Sequence, residues 1–273
     1  MDAIKIESYA EELFNAERTR AAVPPITARE PLFNVDDAYA VQMINIKRAS
    51  AMGCKLSGKK IGLTSPGIQR QLGVSEPDYG RLFSEMDCIG GRVDTAQLIQ
   101  PKIEAELAFI LKKGLRGGRV TASDVVNATD YVVAAFEIVD SRVADWKIRL
   151  PDTVADNASS GRYILSENKV LINGIDLTSI EMKLYKSAAD PKTGGDKNIA
   201  DWEPAGEGMG SAVLGDPCLS VAWLANKLWE YGVSLDAGEI VLSGAFSAAP
   251  AARRGDEFRA DFTVFGSVWA KFV

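Results

Sequence analysis

From about Ile4 to Arg20 the apolar residues Ile6, Tyr9, Ala10, Leu13 and Phe14 fall close to one helical stripe, which predicts a helix. The prolines of Val23-Pro-Pro-Ile end it. Asn34-Val-Asp-Asp-Ala-Tyr then opens a second helix with a capping residue and early acids, and Gly53 is placed to close it. From Lys59 onward the pattern changes to short apolar runs split by Gly, Asp and Pro turns, with one more helix expected near Ser220 to Tyr231. Strands are expected at 102–111, 131–139, 161–165, 181–185, 239–243 and 257–262. They are too many and too unevenly linked for a doubly wound sheet, so the fold class is α+β, a β-rich core with peripheral helices. The division is a helical N-terminal region over residues 1–57 and a main domain over 58–273.

Two positions break the apolar pattern of the strand Pro101-Lys-Ile-Glu-Ala-Glu-Leu-Ala-Phe-Ile-Leu111. Side chains two apart on a strand share a face, so Glu104 and Glu106 point one way while Ile103, Ala105 and Leu107 point the other. Carboxylates that close repel and are costly to desolvate, so the pair must face water, share a proton or hold a cation. A third acid, Glu137, interrupts the run Tyr131-Val-Val-Ala-Ala-Phe-Glu-Ile-Val139, which otherwise reads as a buried strand, and favours the cation.

Composition narrows the choice of ion. The chain has no histidine and three scattered cysteines, Cys54, Cys88 and Cys218, so nitrogen and sulfur ligands for zinc, copper or iron are almost absent. Three carboxylates suit a hard, oxygen-liking ion, Mg²⁺ or Mn²⁺. A net charge of −6 without basic runs argues against nucleic acid. No apolar stretch approaches a membrane span and the N-terminus is not a signal peptide, so the expected location is cytoplasmic, with reduced thiols.

Three further segments carry polar groups whose simplest readings are structural. Gly58-Lys-Lys-Ile-Gly-Leu-Thr-Ser65 sets Lys60 among glycines and apolar residues, from which a lysine commonly snorkels to solvent. Ser75-Glu-Pro-Asp-Tyr-Gly-Arg-Leu82 is turn-like and offers Asp78. Asp152-Thr-Val-Ala-Asp-Asn-Ala-Ser-Ser160 reads as turn chemistry between strands. Asp190-Pro-Lys-Thr-Gly-Gly-Asp-Lys-Asn reads as a polar hairpin tip.

Together with Pro-Lys-Ile-Glu-Ala-Glu-Leu from Pro101, Glu-Ile-Val-Asp-Ser-Arg from Glu137 and Val-Ala-Trp-Leu-Ala-Asn-Lys-Leu from Val221, these segments resemble the 2-keto-4-pentenoate hydratase branch of the fumarylacetoacetate hydrolase superfamily. The likeness runs through nearly the whole chain in the family's order. It implies a mixed, barrel-like β core, with Glu104, Glu106 and Glu137 on the three metal-ligand positions. It places Lys60, Asp78 and Asp156 in catalytic positions and Leu63, Thr64, Ser159 and Ser243 beside the substrate, although a tight strand-end turn accounts for Ser243 equally well.

The substrates this implies are small 2-hydroxy-dienoates, enol forms of 2-oxo-enoates from the meta-cleavage of aromatic rings, hydrated to 4-hydroxy-2-oxo acids. A homo-oligomer is implied, with a pathway decarboxylase or aldolase as a further associate. Two alternatives stay open: a 4-oxalocrotonate-type decarboxylase, and a non-catalytic partner subunit of a hydratase–decarboxylase complex. Decarboxylase relatives tend to carry an apolar residue where Asp78 stands, and carbon–carbon hydrolysis would call for a histidine-assisted water. Relatives usually have histidine at the place of Asp216, and the hairpin over 187–204 is longer than theirs. A substrate with a second carboxylate would need an extra cation, for which Arg142, Arg162 and Arg253 are candidates.

Overall fold

The computed structural model describes residues 1–187 and 202–273. The expected tip at 190–198 lies outside them. The first two helices form as the pattern requires. Helix α1 (Ala3–Thr19) buries Ile6, Ala10, Leu13 and Ala16, and a short α2 (Ile26–Arg29) follows the proline loop. Helix α3 (Val35–Ala51) starts in a capping box in which Asn34 and Asp37 each accept the other's backbone N–H, and Gly53 follows it in the left-handed region at φ 97°.

Strands β1 (Leu56–Gly62), β2 (Asp78–Phe83), β3 (Arg92–Val93), β4 (Pro101–Leu111), β5 (Thr129–Asp140) and β6 (Ser160–Leu165) come next. They are followed by β7 (Glu181–Ser187), β8 (Glu203–Met209), β9 (Ile240–Leu242), β10 (Glu257–Phe262) and β11 (Gly266–Phe272). Helices α4 (Pro66–Leu72), α5 (Ala122–Ala128), α6 (Leu150–Ala155) and α7 (Pro217–Trp229) intervene. One sheet has the order β2-β1-β9-β4-β5-β6 and the other β3-β11-β10-β7-β8. Their facing apolar sides form the core, where β11 packs on β5 and β6, with Phe136, Phe258, Phe265 and Phe272 fully buried.

Two local expectations are corrected. Residues 78–83 are not a turn but strand β2, buried throughout and paired antiparallel with β1. It is stable there because Gly80 has no side chain: a Cβ would collide with the Asn157 carbonyl. Residues 150–155 are helix α6, started by Pro151 and by Asp152, whose carboxylate accepts the Arg149 N–H at 2.9 Å, where turn chemistry was expected over 152–160. Asp216 caps α7 by accepting the Cys218 N–H at 2.7 Å.

Candidate active site

The antiparallel pairing of β4 with β5 puts Glu104 directly opposite Glu137, with Glu106 on the diagonal. Cross-strand partners and diagonal neighbours are within reach of one another on a shared face, so register alone gathers the three acids. Their ligand oxygens lie within 4.8 Å of one another, and Glu106 and Glu137 are completely buried. Burial raises the pKa of all three. For Glu106 the repulsion of Glu137 and Glu104 adds to burial and carries it well above the carboxylate range, while Glu137 is pushed up to about 7.

Lys60 on β1 answers this negative charge. Three strand spacings separate β1 from β5, about 14 Å in a flat sheet, yet Lys60 Nζ stands 3.1 Å from Glu137 Oε1. Curling of the sheet and the long side chains close the gap. Burial alone would discharge Lys60, but Glu137, Asp78, Glu104 and Glu106 outweigh it and hold its pKa above the ordinary lysine value.

Asp78 starts β2 opposite Gly62, where a Cβ would collide with Asp78 Oδ1, so the glycine makes the room the carboxylate occupies. Asp78 is 1% exposed, and burial raises its pKa against the pull of Lys60 and of Thr153, whose hydroxyl donates to Oδ2 at 3.2 Å. Oδ1 has no hydrogen-bond partner.

Beyond β9 the chain runs along β4, its Ser243 and Phe246 N–H groups donating to the Leu107 and Ala105 carbonyls at 3.1 and 3.0 Å. Between them Gly244, at φ 111°, donates its N–H to Glu106 Oε2 at 2.8 Å. A side chain on Gly244 would strike Thr64, so glycine is required both for the backbone conformation and for the close approach. These elements enclose a cavity of about 500 Å³, lined among others by Lys60, Leu63, Thr64, Asp78, Glu104, Thr153 and Ser159.

The donor set fits a divalent ion. Glu106 Oε1 and Glu137 Oε2 are buried without a hydrogen-bond partner, and Lys60 alone faces Glu137 Oε1, a costly state for clustered carboxylates unless a further cation takes up the remaining lone pairs. Glu104, Glu106 and Glu137 would hold it.

The structure thus brings together the three glutamates, Lys60, Asp78, Leu63, Thr64 and Ser159. Ser243 borders the group through its backbone: its carbonyl accepts the Ser220 hydroxyl at 2.6 Å, and its own hydroxyl is buried without a partner. Asp156 stands elsewhere. It does not line the cavity, and its carboxylate is taken up by Arg142, whose backbone N–H donates to Oδ2 at 2.9 Å and whose Nε bonds Oδ1. This pair anchors Asn157, Ala158 and Ser159, all in the left-handed region (φ 54°, 50° and 54°), which Asn157 clamps by two bonds to the Arg81 backbone at 2.8 and 2.9 Å. Burial pushes Asp156 up to about 6 despite Arg142.

Asp156→Asn is expected to destabilise the fold by about 3 kcal/mol, since it leaves the buried Arg142 guanidinium without its counter-charge. Denaturant melts at pH 7 measure this, and an unchanged midpoint would remove the anchoring role. Of the candidate cations, Arg142 is consumed by this pair, and neither Arg162 nor Arg253 lines the cavity. Among the lining residues not singled out from the sequence are Thr153, Trp146 and Lys102. Only Lys102 left a signal, because it shares the strand face of Glu104.

No protein-family model matches the chain. The fold is that of a fumarylacetoacetate hydrolase family protein from Yersinia pestis CO92, with a TM-score of 0.56 over 80% of this chain and 94% of that one at 14% identity. The 4-oxalocrotonate decarboxylase of Pseudomonas putida G7, solved with magnesium and adipate, superposes with a TM-score of 0.91 at 35% identity, covering 100% of this chain and 99% of its own. The architecture and acidic centre therefore define a fumarylacetoacetate-hydrolase-type protein. The 2-keto-4-pentenoate hydratase of Paraburkholderia xenovorans (strain LB400) is 42% identical over 269 residues, 97% of this chain and 94% of the relative. The chain belongs to the 2-keto-4-pentenoate hydratase family, whose members are hydro-lyases.

Proposed function

We propose that this chain hydrates a 2-hydroxy-2,4-dienoate of the 2-oxo-4-pentenoate type, giving a 4-hydroxy-2-oxo acid, at the site built by Glu104, Glu106, Glu137, Lys60 and Asp78. The observation that carries the reading is the convergence of three acids, two of them fully buried and one half-buried, their oxygens within 4.8 Å, beside one buried lysine and one buried aspartate. The name of the relative from P. xenovorans and the magnesium in the decarboxylase structure support it.

A divalent ion, Mg²⁺ or Mn²⁺, held by the three glutamates would polarise the C2 oxygen of a 2-oxo acid and offset enolate charge there. The remaining work falls to the protein's own groups. Lys60 stays an ammonium and balances an anionic substrate entering a carboxylate-rich space. Ketonisation carries the proton of the dienol hydroxyl to C5 and leaves an α,β-unsaturated ketone. Water then adds its oxygen to C4 and a proton to C3. Asp78, with one oxygen unpartnered and the other steadied by Thr153, accepts a proton from that water and returns one to carbon. Leu63, Thr64 and Ser159 shape the wall around the substrate. Asp156, in this reading, holds the Ser159 turn in place and handles no proton.

The overall likeness to a 4-oxalocrotonate decarboxylase keeps decarboxylation as the second reading. An assay with Mg²⁺ and 2-hydroxypenta-2,4-dienoate decides: loss of the dienol absorbance with formation of the 4-hydroxy-2-oxo acid is expected, and chelation should abolish it. Carbon dioxide release from 4-oxalocrotonate in its place would favour the decarboxylase, and inertness toward both a partner role. The reading extends to a cytoplasmic homo-oligomer, as the resemblance implies, and light scattering tests the assembly.

A further inference from the structure

One lysine in the cavity wall has no part in the chemistry above. Lys102 precedes Glu104 by two residues on β4, so it shares that face, about 7 Å further along the strand. Lys102 is half-buried, yet among the described residues no carboxylate is shown in an ion pair with it, although Glu104 is its neighbour on the face. Instead Nζ stands 4.1 Å from the centre of the Trp146 ring. A cation over an indole is attracted by the ring but remains free to bond an anion on its other side.

Trp146 is held for this purpose at some cost. It and Asp145 lie in the left-handed region, at φ 54° and 58°, where non-glycine residues are strained. The indole N–H donates to the Gln100 carbonyl at 3.0 Å, and the Gln100 side chain donates to the Ser141 carbonyl at 2.9 Å and to that of Val143. A surface lysine resting on an aromatic ring would need no such bracing. Val139, Ile148, Phe246, Ala245, Ala248 and Ala249 make this part of the wall mainly hydrocarbon, with Ser247 adding a hydroxyl but no charge. A ligand in the cavity therefore meets a metal-binding end, an apolar stretch and one ammonium available for an anion.

We propose that Lys102, braced on Trp146, is a substrate-binding residue that receives a carboxylate of the substrate. This rests on the 2-oxo acid reading of the site. Two carboxylates could fill the role: C1 of the oxo acid, or a second one at the far end of the chain.

Calorimetric titration of the Mg²⁺-loaded full chain with 2-oxohexanoate and 2-oxoadipate separates them, since the two differ only in the terminal group. Lys102→Met, which keeps a stem of similar size, should weaken binding by about tenfold, the worth of one partly desolvated charge pair. Loss of both probes equally assigns C1, and loss of 2-oxoadipate alone assigns the distal group. In either case Lys102→Arg should restore much of the binding, and Mg²⁺ affinity should be unchanged. Unweakened binding of both probes overturns the proposal, and so does weaker probe binding accompanied by a changed Mg²⁺ affinity, which would show that Lys102 acts on the ligand only through the charge balance at Glu104. If the wild-type chain binds Mg²⁺ but neither probe, the oxo-acid reading itself falls and the proposal with it.

Discussion

Glu106→Gln is expected to weaken Mg²⁺ binding by at least about a hundredfold and to reduce Mg²⁺-dependent turnover at least as much, with the fold intact. Glutamine has the shape of glutamate and can still accept the Gly244 N–H, so the backbone beside β4 keeps its bond. What disappears is one of three negative charges, together with an oxygen that has no other partner. The stability of the metal-free protein should move the opposite way. Burial and mutual repulsion raise Glu106 well above its unfolded pKa and Glu137 to about 7. A carboxyl whose folded pKa is raised contributes stability that is complete below the unfolded value and is lost as pH rises through the folded one. The metal-free wild type should therefore lose thermal stability between about pH 4.5 and 7, and Glu106→Gln should flatten that decline. Added Mg²⁺ should raise the melting temperature of the wild type at pH 7 and leave the variant unmoved. Ordinary Mg²⁺-dependent turnover by Glu106→Gln would refute the assignment of the trio.

The acids were legible in the sequence because strand geometry has a period of two. Glu104 and Glu106 could share a face only if 101–111 were a strand, and Glu137 stood out because nothing else in its run is polar. That they meet depends on the β4–β5 register, which lies in long-range pairing that the local pattern does not carry. Lys60 illustrates the limit. A lysine between glycines on an apolar strand reads as a snorkelling side chain, and only the curl of a six-stranded sheet turns it inward to Glu137. Asp78 was noticed in a segment taken for a turn, since Pro77 and Gly80 are turn residues. In the fold that glycine serves to let β2 pass the Asn157 carbonyl. Asp156 shows the converse: a carboxylate near the site in sequence can face away from it, because α6 and the left-handed turn direct it toward Arg142. Thr153 and Trp146 left no periodic trace, since one sits on the six-residue helix α6 and the other on a three-residue turn, both too short to show a period, with directions set by tertiary bonds.

Asp78→Asn should lower kcat for hydration by about a hundredfold to ten-thousandfold, the usual worth of a positioned proton-transfer group. Binding of an unreactive 2-oxo acid analogue such as oxalate should change only a few-fold. The separation follows from what the carboxylate touches. One oxygen is held by the Thr153 hydroxyl and the other has no protein partner, so asparagine can fill the space and retain one bond while losing the capacity to accept a proton. Lys60 loses one of the four carboxylates that keep it charged, but Glu137 at 3.1 Å remains the first of them. The pH profile supplies an independent signature. Burial raises the pKa of Asp78, so the acid limb of kcat/KM belonging to it should lie above the ordinary aspartate range, with activity lost as pH falls through it. That limb should vanish from the residual activity of Asp78→Asn, whereas a merely structural carboxylate would leave the shape of the profile unaltered and depress kcat and oxalate affinity together. Because ionising a buried Asp78 costs folding energy, the variant should melt no lower than wild type at pH 7. A large drop in rate at undiminished stability is the combination that only a catalytic Asp78 produces.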